Sequence, residues 1–332
     1  MKKISVLGGG TGLSTLLRGL KKMPFDISAI VSVCDDGSST GRLREEFHTP
    51  AVGDIRKVLI SLSNNEEAVS KVLDYRFNTY SDLNGHAVGN LLLTAANEIT
   101  GSMSGAIELL SSLLDLNGKV IPLSEEDVTL VGKFENGEIV EGEHHITEAH
   151  GKIVDVYYKN KVDVSPIALK AIRESDVIVL SMGSLFTSIL PNLICEDVIK
   201  EIDKSEAKII YVCNIMTQPG ETDGFSVSDH VNLINRYLGK RKIDVVLVNN
   251  GNIDADVLKK YETTEQKDLV LFDEENVSKL VNHIIKNNYT LIEDGSIRHD
   301  ALKVAIDIIS YLLNWVVVIC LLLVKLKMKL VN

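Results

Sequence analysis

Aromatic residues are scarce in this sequence. Phe, Tyr and Trp supply 5% of the chain, with one tryptophan among them, so the core it builds is aliphatic. Cysteine is rarer still. Cys34, Cys195, Cys213 and Cys320 stand far apart, with no CxxC pair and no Cys/His spacing suited to a metal. Three of the four lie inside apolar, strand-like runs, where a buried reduced thiol is the expected state. No disulfide framework is expected, which points to a reducing, cytoplasmic setting. Blocks of Lys and Arg are missing before the C-terminus, and the formal net charge is −11. Such a chain repels nucleic acid and anionic membranes. The apolar stretch behind Met1 is too short for a signal peptide. There is also no GxSxG elbow, no HExxH pair and no defensible nucleophile–base spacing. No catalytic residue and no metal ligand is therefore nominated. A phosphate-bearing ligand would have to be held by backbone amides and a few placed arginines.

What is present is a strand-and-helix rhythm. The chain has 332 residues, with 45% apolar and 24% charged, ordinary proportions for a globular protein. Lys3 to Leu7 is a short apolar run that ends in glycines, as a buried parallel strand does. Leu13, Leu16, Leu17 and Leu20 then fall at helical spacing and give one leucine face. Ile27 to Val33 is a second β-branched run, completing a βαβ start. Val58 to Leu62 and Leu91 to Ala96 are helical or buried segments. From about 121 to 164 the texture alternates, with a turn at Glu135-Asn136-Gly137, and predicts a small antiparallel insertion. The rhythm resumes at Val177 to Leu180, Lys208 to Val212 and Val245 to Val248. The expected fold is a doubly wound, mainly parallel, Rossmann-like α/β sheet in one domain over 1–302, followed by a tail over 303–332.

The loops after these strands carry the polar clusters, and ligands in open α/β sheets bind there. Gly8-Gly9-Gly10-Thr11-Gly12 joins the first strand to the leucine-faced helix. Without Cβ atoms, its amides can approach a pyrophosphate at a helix N-terminus. It is neither GxGxxG, since Leu13 replaces the third glycine, nor a Walker loop. The second loop runs from Cys34 to Arg44 and offers Asp36, Ser38 and Arg42. An acidic residue there can take ribose hydroxyls, and the arginines can fork onto phosphate oxygens. Gly85 to Asn90 contributes Asn90, with His86 as an acid/base group or a structural cap. Gly183 to Ser188 contributes Ser184 and Thr187, and Asn214 to Gly224 contributes Asn214, Thr217 and Asp223. With Gly9, Gly10, Thr11, Gly12 and Arg298, these are the nominated ligand-binding residues. Rich in amides and hydroxyls, and poor in bases, the set suits binding at least as well as bond breaking.

Taken together, GGGTGLS at Gly8 to Ser14, DDGSSTGRLR at Asp35 to Arg44, GDIR at Gly53 to Arg56, GHAVGNLLL at Gly85 to Leu93, GSLFTSILPNL at Gly183 to Leu193, CNIMTQPGETDGF at Cys213 to Phe225 and RHD at Arg298 to Asp300 resemble the bacterial gluconeogenesis-factor family, YvcK type. That family is related to the phospholactate transferases of the CofD-like fold. The resemblance implies a cytoplasmic protein that binds UDP-sugars, notably UDP-N-acetylglucosamine. It implies support of cell shape and envelope precursor supply during gluconeogenic growth, in part through glucosamine-6-phosphate synthase as partner. By the same resemblance the glycine loop and Asp36 serve the nucleotide, the Asn214 to Asp223 loop lines the pocket, and Arg298 reaches sugar or phosphates. Two departures stand out. Ser181-Met182-Gly183 replaces the usual Gly-Pro-Gly, and Ala301 stands where threonine is common.

A regulatory UDP-sugar-binding protein without a cofactor is thus the leading expectation. The alternative is a phospholactate-transferase-like enzyme using a nucleotide-diphosphate donor, with Mg²⁺ and the carboxylates of Asp36 and Asp223 at the pyrophosphate. A redox enzyme holding NAD is weaker, for want of the third Rossmann glycine. Homo-oligomerisation is left open. Tyr311 to Val324 is apolar apart from Asn314 and is followed by Lys325, Lys327 and Lys329. This run falls short of the ~20 residues that span a bilayer. A docked or interfacial helix, a frameshifted end and, least of all, a membrane anchor are the three readings.

Overall fold

A computed structural model describes residues 1–149, 151–293 and 295–313. The main sheet has seven strands in the order β10-β9-β8-β7-β1-β2-β3. These are β1 (Lys2–Gly8), β2 (Phe25–Val31), β3 (Lys119–Pro122), β7 (Val177–Leu180), β8 (Lys208–Val212), β9 (Val245–Asn249) and β10 (His283–Asn287). Every pairing among them is parallel. Val177 to Leu180 and Lys208 to Val212 are strands with the limits read from the sequence. Strand β10, edge-on and half-exposed, was not foreseen.

Chain order reverses between β1 and β7. From β1 the chain proceeds to β2 and β3 on one side, while β7 to β10 build outward on the other. The loops leaving β1 and β7 therefore diverge and open a crevice, the switch point where such folds bind ligands. Helix α1 (Gly10–Leu20) follows β1 and buries Leu13, Leu16, Leu17 and Leu20 completely. The runs Val58 to Leu62 and Leu91 to Ala96 lie in helices. The helices after β2 are α2 (Ser38–Phe47), α3 (Val52–Leu62), α4 (Glu66–Leu73), α5 (Val88–Thr100) and α6 (Met103–Leu114). Cys34, Cys195 and Cys213 are buried free thiols.

The antiparallel insertion is present as β4 (Leu130–Phe134), β5 (Ile139–Glu141) and β6 (Ile153–Tyr158), in the order β5-β4-β6. Gly137 turns the β4–β5 hairpin with a φ of +86°. Its expected start at about 121 is corrected, because Ile121 and Pro122 pair with β2 in the main sheet. A second hairpin, β11 (Thr290–Glu293) and β12 (Ser296–His299), carries Arg298.

The expected boundary at 302 also moves. Residues 301–313 are helical, and Val304, Ala305 and Ile308 are fully buried in the main core. Backbone contact anchors the start of this helix: a Cβ on Gly19 of α1 would lie 1.9 Å from the Ala301 carbonyl oxygen. The rest of the apolar run, from 314 to 332, lies outside the described residues. Among those described, no helix is long and apolar enough to cross a membrane. Truncation after residue 313 is expected to preserve a cooperative urea transition. Truncation after Asp300 should abolish it or lower stability by several kcal/mol, since Val304, Ile308 and Ile309 each contribute ~1.5–3 kcal/mol by burial.

Candidate ligand-binding cleft

The carboxyl end of β1 is tied to both neighbours: Ser32 N donates to Gly8 O at 2.9 Å, and Ser181 N to Leu7 O at 3.1 Å. Beyond it the glycine loop presses directly on the loop after β7. A Cβ on Gly12 would lie 1.9 Å from the Met182 carbonyl oxygen, and one on Gly8 2.1 Å from Ser181 Oγ. Gly10 adopts a left-handed φ of +59°, the one conformational demand in the turn. No side chain caps α1, so its first-turn amides, save one, are open to an anion. The exception is Gly10 N, which donates to Asp54.

A cleft of about 230 Å³ opens at this point, lined by Gly9, Thr11, Gly12 and Thr15, by Met182, Gly183, Ser184 and Ser188, by Asn214 and Gln218, and by Ile297, Arg298 and His299. It brings together Gly9, Thr11, Gly12, Ser184, Asn214 and Arg298 from the sequence nominations. Arg298 is exposed and pairs with no carboxylate among the described residues. Asn214 Nδ2 donates to Gly183 O at 2.9 Å, while its buried Oδ1 has no partner among the described residues. A buried acceptor left open is costly and invites a donor from a ligand.

Among the cleft and wall residues missed in the sequence reading are Glu221, His299, Gln218, Thr15 and Ser188. Glu221, buried, accepts the Ser184 hydroxyl, Phe186 N at 3.1 Å and Gln218 Nε2 at 3.0 Å. Burial pushes its carboxyl up to about 7, against the pull of those donors. Its place in the amide-rich Asn214 to Gly224 loop was the signal available. His299 has Nε2 3.0 Å from Cys213 O, and burial drives its pKa down to about 4. The imidazole is thus neutral, Nε2–H donates to the carbonyl, and Nδ1 remains an acceptor at the cleft wall. Thr15 and Ser188 looked like ordinary helix and loop hydroxyls.

The other nominated residues lie elsewhere. Gly10 faces Asp54, whose Oδ1 would be 3.4 Å from a Cβ there. Asp36 Oδ1 accepts His144 N at 2.7 Å and so holds the start of the insertion helix Glu143–Glu148. Ser38 opens α2 with a φ of +45°. Arg42 Nη2 donates to Asn84 O at 2.7 Å. Asn90 is buried, donates to Ser39 Oγ at 3.1 Å and accepts Arg56 Nη1 at 2.6 Å. His86 Nδ1 meets the same Ser39 hydroxyl at 3.0 Å. The second loop, GDIR and GHAVGN are thereby knit into one structural network. Thr187 backs Ser184, its Oγ1 donating to Ser184 Oγ at 2.7 Å. Asp223 accepts Gly220 N at 2.7 Å within its own turn. Thr217 borders an adjoining cavity.

Asp36 and Asp223 are engaged by different turns, Asp36 by the His144 amide and Asp223 by the Gly220 amide. The carboxylates that influence one another are Asp35, Asp36, Asp54 and Glu143. Burial, then the charges of Asp35 and Asp54, push Glu143 up to about 8, and burial raises Asp54 as well. Asp54 pairs with Lys57 at 3.0 Å, and Asp35 accepts Gly37 N and Thr40 Oγ1, each at 3.1 Å. These oxygens are held by protein donors, and among the described residues no group of three such ligands is set for a metal.

The fold and cleft define an α/β protein of the CofD class. Residues 4–290 match the family model described as 2-phospho-L-lactate transferase CofD. The gluconeogenesis factor of Bacillus subtilis is 43% identical, over 91% of this chain and 96% of its own length. That of Halalkalibacterium halodurans is also 43% identical, over 92% of this chain and 94% of its own. A crystal structure of a UPF0052-family protein from Bacillus halodurans superposes with a TM-score of 0.88 at 42% identity, covering 92% of this chain and 98% of that one. The chain belongs to the gluconeogenesis-factor family.

Glu143 gives a pH test. Its carboxyl rises from the ordinary 4.5 to about 8 on folding, so the native state binds the extra proton between those values. Stability from this group is full below 4.5 and is lost as pH rises to 8. Urea melts from pH 5 to 8.5 should show wild type losing stability relative to Glu143→Gln as pH increases. A difference independent of pH would refute this assignment.

Proposed function

We propose that this protein is a cytoplasmic regulator that binds UDP-N-acetylglucosamine and supports cell shape and envelope precursor synthesis during gluconeogenic growth, with glucosamine-6-phosphate synthase as its partner. The observation that carries this reading is the convergence at the switch point of uncapped α1 amides, the Asn214 side chain and Arg298, which pairs with no carboxylate among the described residues. In a chain of net charge −11, an arginine at an amide-lined cleft favours an anionic ligand such as a diphosphate. The neutral His299 adds a neutral hydrogen-bonding group for the parts of a ligand that carry no charge.

The second reading is transfer from a nucleotide-diphosphate donor. It is favoured by the family description and by Glu143, a carboxyl kept protonated near the glycine loop and thus able to act as a general acid. The binding reading explains more of the cleft, because Gly9, Thr11, Gly12, Ser184, Asn214 and Arg298 gather there.

Isothermal titration is expected to show UDP-N-acetylglucosamine binding. Ligand at ~100 times Kd should raise stability by roughly 2.7 kcal/mol. Arg298→Ala should weaken binding by about 1.5–3 kcal/mol, the scale of a hydrogen bond to a charged group. A folded wild type with no heat and no melting shift at millimolar ligand would sink the proposal.

Regulator and enzyme separate by phosphorus NMR. With Mg²⁺ and hydroxyl acceptors present, the nucleotide sugar should come through overnight incubation intact. Sustained release of UMP or UDP, lost in Glu143→Gln, would establish the transferase instead.

A further inference from the structure

We propose that Glu221 is a positioning residue: it sets which end of the Gln218 amide faces the cleft, and so ties the cleft's hold on an anion to uptake of a proton; this rests on the anionic-ligand reading above. Glu221 is 2% exposed and stands behind the wall, whereas Gln218 lines the cleft. Backbone bonds pin Gln218 in its turn. Its carbonyl accepts Glu221 N at 3.0 Å and Thr222 N at 2.9 Å, and its N–H donates to Thr222 Oγ1 at 2.9 Å. Its side chain makes one bond among the described residues, from Nε2 to Glu221 Oε1 at 3.0 Å. The side-chain amide can therefore reverse without disturbing the loop.

The two oxygens of Glu221 are not equivalent. Oε2 accepts the Phe186 N–H at 3.1 Å and the Ser184 hydroxyl. A backbone N–H can only donate, so Oε2 stays an acceptor and an added proton goes to Oε1. There it meets Gln218. Facing an ionised carboxylate, Gln218 must give up Nε2–H and turn its carbonyl outward, an acceptor that opposes an anion. Facing a protonated Oε1, the Gln218 carbonyl accepts instead and the NH2 group turns outward as a donor.

The proton is available near neutrality. Burial, against the pull of the Ser184 and Phe186 donors, pushes the Glu221 carboxyl up to about 7. Asp223, in the same loop, is the charged neighbour that adds to the rise. The segment Leu185–Ile189 brings no charge. From the insertion, Ile153 N reaches Gly220 O at 3.3 Å, and Lys152 beside it is paired with Glu135 at 3.1 Å. Across the cleft stand Arg298 and the neutral His299.

The test uses the full chain with nitrogen-15-labelled glutamine, and UDP-N-acetylglucosamine, whose diphosphate carries no proton that titrates from about pH 6 to 8.5. The signal missing from Gln218→Met assigns the Gln218 amide. In unliganded wild type that signal should move with a midpoint at about 7. It reports on one amide, which separates Glu221 from Glu143, the other carboxyl that holds its proton near neutrality. Wild-type Kd should rise by up to about tenfold per pH unit above that midpoint, because the bound state must take up the proton. In Glu221→Gln the new carboxamide keeps its oxygen on Phe186 and Ser184 and offers NH2 to Gln218. Its Gln218 signal and its Kd should both stay at the wild type's acid values throughout. Gln218→Met should also lose the dependence, which separates amide reversal from plain repulsion between Glu221 and the ligand. The proposal is overturned if the wild-type Gln218 signal ignores pH, if wild-type Kd is flat, or if Gln218→Met keeps the wild-type dependence. A moving Gln218 signal with no binding at any pH upholds the reversal and rejects the nucleotide-sugar reading.

Discussion

The contact on which the rest depends is backbone against backbone: the Gly12 Cα beneath the Met182 carbonyl. A methyl group at position 12 would lie 1.9 Å from that oxygen, a separation that no rotamer change can relieve. The loop after β1 can lie against the loop after β7 only while both approach without side chains between them. Closeness here sets the width of the crevice where chain order reverses. It also brings the α1 amides and the Ser184 hydroxyl to one cleft. The glycines of this loop thus serve packing first and make amide access to an anion a consequence of it.

That packing has an electrostatic companion. Asp54 lies under the glycine loop, accepts the Gly10 amide and is balanced by Lys57. A carboxylate at a helix N-terminus is favourable, so the turn is held in shape without a ligand. The remaining amides keep their positive potential, and Arg298 adds a charge from the opposite side of the cleft. Burial, and then the negative charges of Asp35 and Asp54, are why Glu143 retains its proton near neutral pH. The division is clear: negative groups stabilise the floor beneath the loop, and positive or neutral donors face the cleft.

The sheet was legible in the sequence because parallel strands buried on both faces read as continuous β-branched runs, and four of the seven matched their expected limits closely. β10 escaped notice because an edge strand is half-exposed and loses that signature. In the cleft, glycine and hydroxyl clusters located Thr11, Gly12, Ser184 and Asn214, since loop chemistry is local. Asp36, Arg42 and Asn90 carry the same residue chemistry but spend it on His144, Asn84 and Arg56. Sequence shows which groups can bond, and only the fold shows which are already bonded. Glu221 illustrates the converse, a loop acid whose burial behind Ser184 depends on contacts across 37 residues.

The C-terminal helix shows why the cleft and the core cannot be treated as separate parts. Arg298 and His299 end β12, Asp300 N donates to Tyr289 O at 2.6 Å, and the helix begins at 301. Asp300 caps it by accepting Lys303 N at 3.1 Å. Tyr289, buried, reaches Asp307 at 2.7 Å and so clamps hairpin to helix. Ala301 packs its carbonyl on Gly19 of α1, the helix whose N-terminus opens into the cleft. A bulkier side chain at 301 would start from a Cβ near Gly19, where a Cβ on that glycine would already meet it at 3.2 Å. Displacement there moves Arg298 through three residues of rigid backbone and moves α1 at the same time. The arginine that lines the cleft is therefore positioned by the burial of Val304 and Ile308, one continuous segment that is core at one end and cleft at the other.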